Sequence, residues 1–207
     1  MKKTAVSALV VASAFMGSMA FASAAYAGNT KAFKSSVEAP ITTPVQVNVI
    51  IGDELAYRAE HISPKLRDRS NARSLRDGFA GRGFYGQREL DELASRMERK
   101  LTSQLEKRGF AVSGQAATVL NVVITDADPS SPTFEQMSKN VSLSSRSFAL
   151  GGAKFEASLT INGQPAGDLS YSWYESDIRH ASYGGGIWTD ANRAIDRFAK
   201  KTAKSLN

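Results

Sequence analysis

The densest concentration of potential chemistry in this 207-residue chain is basic. Arg67, Arg69, Arg73 and Arg76 recur at spacings of 2, 4 and 3, so in a helix the last three would share a side, and Arg82 follows six residues later. Guanidinium groups chelate phosphate or carboxylate with two parallel hydrogen bonds. Leu66, Leu75, Phe79, Phe84 and Tyr85 interleave apolar and aromatic partners. Between Arg58 and Arg88 eight basic residues stand against Glu60, Asp68 and Asp77, a local excess of +5. Arg67, Arg69, Arg73, Arg76 and Arg82 are therefore the expected anion- or partner-binding residues. The plainer alternative is a solvated connector whose charge confers solubility.

Other groups point to chemistry less well. Hydrolysis of a glycan needs two carboxyl groups facing one cleft; Asp126 with Asp128, and Glu175 with Asp177, cluster at strand ends, where turn formation and solvation explain them. His61 and His180 are the only imidazoles, and neither has a second ligand at i,i+4 spacing, so no metal is expected. Gly81-Arg82-Gly83-Phe84-Tyr85-Gly86 spells G-x-G-x-x-G. A dinucleotide fingerprint requires a strand entering the first glycine, whereas the polar, basic run Ser74–Gly78 precedes it here. Gly184-Gly185-Gly186 could turn backbone N–H groups toward an anion, or simply link the last helix. No G-x-S-x-G occurs. The absence of cysteine excludes disulfides, Cys-ligated zinc, iron–sulfur clusters and thiol chemistry. No catalytic residue and no cofactor are expected.

Hydrophobic content of 42% and charged content of 22% describe a globular chain of about one domain. Lys2 and Lys3 precede an uncharged, small-and-apolar run from Ala5 to Ala22, and Ala25-Tyr26-Ala27 fits an A-x-A cleavage site. Residues 1–27 thus read as a secretory signal peptide. Its removal leaves 180 residues with a net charge of +4. No later segment approaches membrane-spanning length, and no cysteine is available for lipid attachment. The expected location is a bacterial periplasm. The anions available there are lipopolysaccharide phosphates, phospholipid headgroups, acidic glycans and acidic protein surfaces, whereas nucleic acid is scarce.

Residues 28–44, with Pro40 and Pro44, read as an extended N-terminal segment. Val45, Val47, Val49 and Ile51 alternate as in a half-buried strand. Leu90, Leu93, Met97, Leu101 and Leu105 share one helical face, ended at Gly109. The β-branched run Thr118–Thr125 predicts a central strand, and the serine-rich stretch Asp128–Ser147 a surface loop. Ala153 to Ile161 and Leu169 to Trp173 alternate around Asn162-Gly163, a hairpin signal with a five-residue connection. Ile187, Ala191, Ala194, Ile195, Phe198, Thr202 and Leu206 line a terminal helix that Thr189 or Asp190 can cap. The expected fold is α+β: a four-stranded, mostly antiparallel sheet with two amphipathic helices on one face, in the order β-α-β-β-β-α. A single domain, 45–207, would carry a basic insertion at 58–88.

The run Gly151-Gly152-Ala153-Lys154-Phe155-Glu156-Ala157, the turn Asn162-Gly163-Gln164-Pro165-Ala166-Gly167, and Trp188-Thr189-Asp190-Ala191 leading the terminal helix together resemble a family of uncharacterised bacterial envelope proteins, many of them lipoproteins. The resemblance covers roughly residues 90 to 206. Asn162 replaces the family's usual turn aspartate, and the lipobox cysteine is missing. The resemblance implies an envelope domain and supplies no catalytic residues. Two functions follow: an interaction or assembly module with a basic arm, or a small-ligand binder or hydrolase with its site between sheet and helices near Tyr171, Trp173, Tyr174, Tyr183 and Trp188.

Overall fold

The computed structural model describes residues 33–38, 40–41, 44–63, 78–180 and 185–207. The signal peptide expected over 1–27 lies outside them. Strands β1 (Phe33–Ser35), β2 (Val45–Ile51), β3 (Thr118–Asp128), β4 (Gly152–Ile161) and β5 (Gln164–Tyr174) form one sheet in the order β1-β5-β4-β3-β2. The helices are α1 (Asp53–Glu60), α2 (Phe79–Arg82), α3 (Gln87–Glu106), α4 (Phe134–Lys139) and α5 (Thr189–Ser205), with a 3₁₀ turn at Ile178–His180. The class is α+β. No helix among the described residues is long and apolar enough to cross a membrane.

The five apolar residues read from the sequence are the buried face of α3. It packs on β2 and against α5, which in turn lies over β4, β5 and β1. Leu120, Val122 and Ile124 of β3, Phe155 and Leu159 of β4, and Leu169, Tyr171 and Trp173 of β5 point at those helices and are almost fully buried. Period-2 alternation on the strands and period-3.6 spacing on the helices thus converge on one apolar layer.

Three of the four strand pairings are antiparallel, as expected, and two details differ from the four-stranded expectation. β1 adds a fifth strand inside the N-terminal segment, pairing Phe33 opposite Tyr171 in antiparallel register. Three residues are too few to show alternation; what holds them is the Phe33 ring, 6.5 Å from Tyr171 and 6.4 Å from Phe198. The sheet is also mixed, because β2 runs parallel to β3, Val45 opposite Thr118 through Ile51 opposite Ile124. The chain between them crosses over through α1, α2 and α3, which is the connection a parallel pair requires. The order β-α-β-β-β-α is accordingly the skeleton of a longer sequence of elements.

Two connections differ as well. The β4–β5 turn is Asn162-Gly163 alone, with φ of 51° and 77°, the left-handed pair of a type I′ turn. Gln164, Pro165 and Gly167 already pair within β5, and the register shift between Leu159 and Thr160 absorbs Ala166. Within Asp128–Ser147, α4 is fixed by a capping box. Gln136 N donates to Thr133 Oγ1 (3.1 Å) and Thr133 N donates to Gln136 Oε1 (3.0 Å). Gln136 Nε2 then donates to the carbonyls of Phe79 and Gly83, at 2.7 and 2.9 Å. Ties of this kind are polar and leave no apolar periodicity to read.

Candidate functional site

A β-bulge creates the charged end of the sheet. Continued alternation after Leu120, Val122 and Ile124 would aim Asp126 and Asp128 into the core. The register of β3 against β4 shifts between Ile124 and Asp126, so Ala127 sits opposite Ala153 while Asp126 and Asp128 sit opposite Lys154 and Gly152. Ala127 is fully buried in the helix-facing layer, and both carboxylates are turned to the other side.

Arg58 meets them. Leu55, Arg58 and Ala59 form the buried face of α1, and Arg58 is only 4% exposed. Its Nη2 donates to Asp126 Oδ1, its Nη1 donates to the Tyr85 hydroxyl at 3.2 Å, and Nη1 lies 3.8 Å from Asp128 Oδ1. The Tyr174 hydroxyl donates to Asp126 Oδ2, and the Tyr85 hydroxyl donates to the Ala80 carbonyl at 2.5 Å. The Arg58 Nε is buried with no acceptor among the described residues. Burial opposes the guanidinium charge, but the carboxylates of Asp126 and Asp128 outweigh it and hold the pKa of Arg58 above its ordinary value. Burial pushes the Tyr85 hydroxyl well above the usual phenol range, so it stays neutral. Arg58, counted in the basic excess of 58–88, is thus an internal cation compensated by β3.

The same contacts close the base of the basic segment. Ser63 N donates to the Arg82 carbonyl (2.8 Å), Tyr85 N to the Arg58 carbonyl (3.3 Å) and Gly86 N to the Ala59 carbonyl (2.9 Å). Ile62 bridges Gly83. Gly83 has φ of 103°, and a Cβ there would sit 2.0 Å from the His61 carbonyl oxygen, so only glycine allows this approach. The described residues on either side of 64–77 therefore meet at a base held by backbone hydrogen bonds and a buried ion cluster. Of the five expected binding residues, Arg82 is exposed at that base. Arg67, Arg69, Arg73 and Arg76 lie outside the described residues, as do Tyr183 and Gly184. Arg88 is on the surface of α3, paired with Glu92 at 3.1 Å.

The remaining candidates are engaged within the fold. The G-x-G-x-x-G run begins inside the short helix α2, at Gly81, rather than after a strand. His61 stacks on Tyr57, with ring centroids 4.3 Å apart. Tyr171 and Trp173 pack in the core, and Arg197 lies 4.2 Å over the Trp173 ring. Trp188 donates its Nε1 to Glu89 Oε2 (3.0 Å) and meets Tyr85 edge-on. It also lines a surface groove of about 490 Å³ with Arg88, Arg96 and Arg99. Asp190 does not cap α5. Its Oδ2 accepts from Ser130 Oγ (2.9 Å) and Gly151 N (3.2 Å), and its Oδ1 accepts from Arg193 Nη1 (2.9 Å).

Glu175 and Asp177 hold a turn. Asp177 is lowered from its ordinary value by the Arg179 side chain. Burial alone would raise Glu175, but the backbone N–H groups of Asp177 and Ser176 and the His180 ring outweigh it, bringing Glu175 below its ordinary 4.5. A carboxyl lowered on folding adds stability that is present above its unfolded pKa and lost as pH falls through the folded one. Glu175→Gln should therefore cost no more than about 1 kcal/mol at neutral pH. In urea melts the difference should vanish as pH drops below the ordinary 4.5 and then through the lowered value; a cost that persists in acid would contradict this origin.

No family model matches the chain, and no curated protein matches it. Among solved structures the chain is similar to the PelC dodecamer from Paraburkholderia phytofirmans, in two crystal forms. TM-scores are 0.42 and 0.43 at 9% identity, covering 82% of this chain and 95 to 96% of that one. Similarity at that level carries no inference about activity or assembly.

Proposed function

We propose that this chain is an exported protein of the bacterial envelope, a non-enzymatic interaction or assembly module that offers a basic arm to an anionic partner. The leader-like residues 1–27 support export to the periplasm. What carries the reading is the base of the arm. Residues 64–77 hold five basic residues against two acidic ones, and the positions flanking them are fastened together by Ser63, Gly83 and the Arg58 cluster. Arg58 is engaged inside the fold by Asp126 and Asp128, whereas Arg82 is exposed at the base. Phosphate-bearing surfaces such as lipopolysaccharide and anionic phospholipid suit guanidinium chemistry.

Sedimentation with vesicles containing anionic phospholipid, or with lipopolysaccharide, tests it. Replacing Arg67, Arg69, Arg73 and Arg76 together by Ala should weaken binding on the order of a hundredfold, since each basic residue near such a surface contributes up to about 1 kcal/mol. Binding by the parent should also weaken as salt is raised, because contacts of this type are screened over about 8 Å at physiological ionic strength. Binding indifferent to both salt and the four substitutions would remove the basis for the proposal.

A further inference from the structure

β2 ends the sheet: β3 is its one partner among the described strands, and at its start Val45 also bridges Val112. In a parallel ladder alternate residues turn both backbone groups to the same side. Val45 N donates outward to the Ala111 carbonyl (2.9 Å) and the Val45 carbonyl accepts from Ser113 N (3.1 Å). Val47, Val49 and Ile51 therefore also present their backbone groups to the outer edge, where no described strand meets them. Gly52, of the opposite parity, donates inward to the Ile124 carbonyl (3.0 Å).

Edge strands are ordinarily blunted by charge, proline, a bulge or a covering element. The sequence Val45–Ile51, VQVNVII, has no charged residue, no proline and no glycine, and pairs without a register shift. Ile50 is 57% exposed and Val49 and Ile51 are half-buried. The open stretch runs from 47 to 51, bounded by the Val112 contact at Val45 and by the start of α1 at Asp53.

From these observations we infer that the outer edge of β2 is an interface with a second copy of this chain, the two β2 strands pairing antiparallel about a two-fold axis at Val49. This register uses the whole open stretch. Val49 faces Val49 and Val47 faces Ile51 on the helix side, while Asn48 faces Ile50 on the other. Apolar meets apolar and no like charges are opposed. The flanking acid Asp53 would fall near residues 109–117 of the other copy, which contain no charged residue. An isologous interface needs this self-complementarity.

The test is mass by light scattering across a concentration series, with cysteine crosslinking. The chain has no native cysteine, so Val49→Cys reports one contact. A hydrogen-bonded antiparallel pair holds its Cα atoms about 5.5 Å apart, within disulfide range. Val49→Cys should form a covalent dimer at least about tenfold faster than Ser95→Cys on the exposed surface of α3, reflecting its high effective concentration. Ile50→Lys, at a position already exposed, should shift the dimer toward monomer, with a melting temperature equal to the parent's at concentrations where both are monomeric. A parent that stays monomeric throughout, or a dimer whose mass Ile50→Lys leaves unchanged, overturns the inference. So does crosslinking no faster than the control by a folded Val49→Cys.

Discussion

Arg58→Met should lower folding stability by about 3 to 5 kcal/mol, the range for removing one partner from a buried ion pair. The substitution keeps most of the side-chain volume and withdraws the charge. Asp128, 3% exposed, and Asp126 would then lose their compensating cation, and the Tyr85 hydroxyl would lose a donor. Arg58→Lys should fall between parent and Met, because an ammonium keeps the charge and loses the fork that reaches Asp126 and Tyr85 together. Guanidinium melts give the number. Adding Asp128→Asn to Arg58→Met should cost less than the sum of the two single losses, as coupled neighbours do. Hydrogen exchange at the Ser63, Tyr85 and Gly86 amides should accelerate in parallel, since those bonds close the base of the basic segment. A loss under about 1 kcal/mol would mean that the cluster is hydrated rather than buried.

Asp190→Ala should cost about 2 to 4 kcal/mol, because one side chain ties three elements. Its two oxygens take hydrogen bonds from Ser130 after β3, Gly151 before β4 and Arg193 on α5, and its own N–H donates to Ser130 Oγ at 3.1 Å. Removing the carboxylate leaves the buried Gly151 N–H and Ser130 hydroxyl short of an acceptor, and a hydrogen bond to a charged group contributes about 1.5 to 3 kcal/mol. Asp190→Asn should lose roughly half as much, retaining one amide oxygen. Equal losses for the two would show that the negative charge, and not one retained oxygen or the side-chain volume, is what the site requires. Gly151 admits no larger residue, since a Cβ would come within 2.6 Å of the Asp128 carbonyl oxygen. Gly151 is thus held between the end of β3 and the start of α5, where its N–H donates to Asp190.

Legibility followed the apolar pattern. Leu90, Leu93, Met97, Leu101 and Leu105 are the buried face of α3 because nothing interrupts their spacing. The alternations in β2, β4 and β5 likewise survive into the sheet. Arg58 was not legible as a core residue, because a guanidinium reads as surface and its partners stand 68 and 70 positions away, beyond a bulge no periodicity announces. Leu55 and Ala59, four apart after Asp53 and Glu54, were the available sign of α1. The T-x-x-Q spacing of Thr133 and Gln136 was the sign of α4. β1 left none, since its strand character comes from the edge of β5.

The sheet is assembled out of chain order. Its two outermost strands are made first, yet Phe33 must wait for Tyr171, 138 positions downstream, and Val45 for Thr118. A polypeptide delivered N-terminus first thus carries its oldest strands unmated for longest, and slow non-local closure prolongs that interval. The hairpin of β4 and β5 can zip at once, so the body should set from its middle and gather in its earliest residues last.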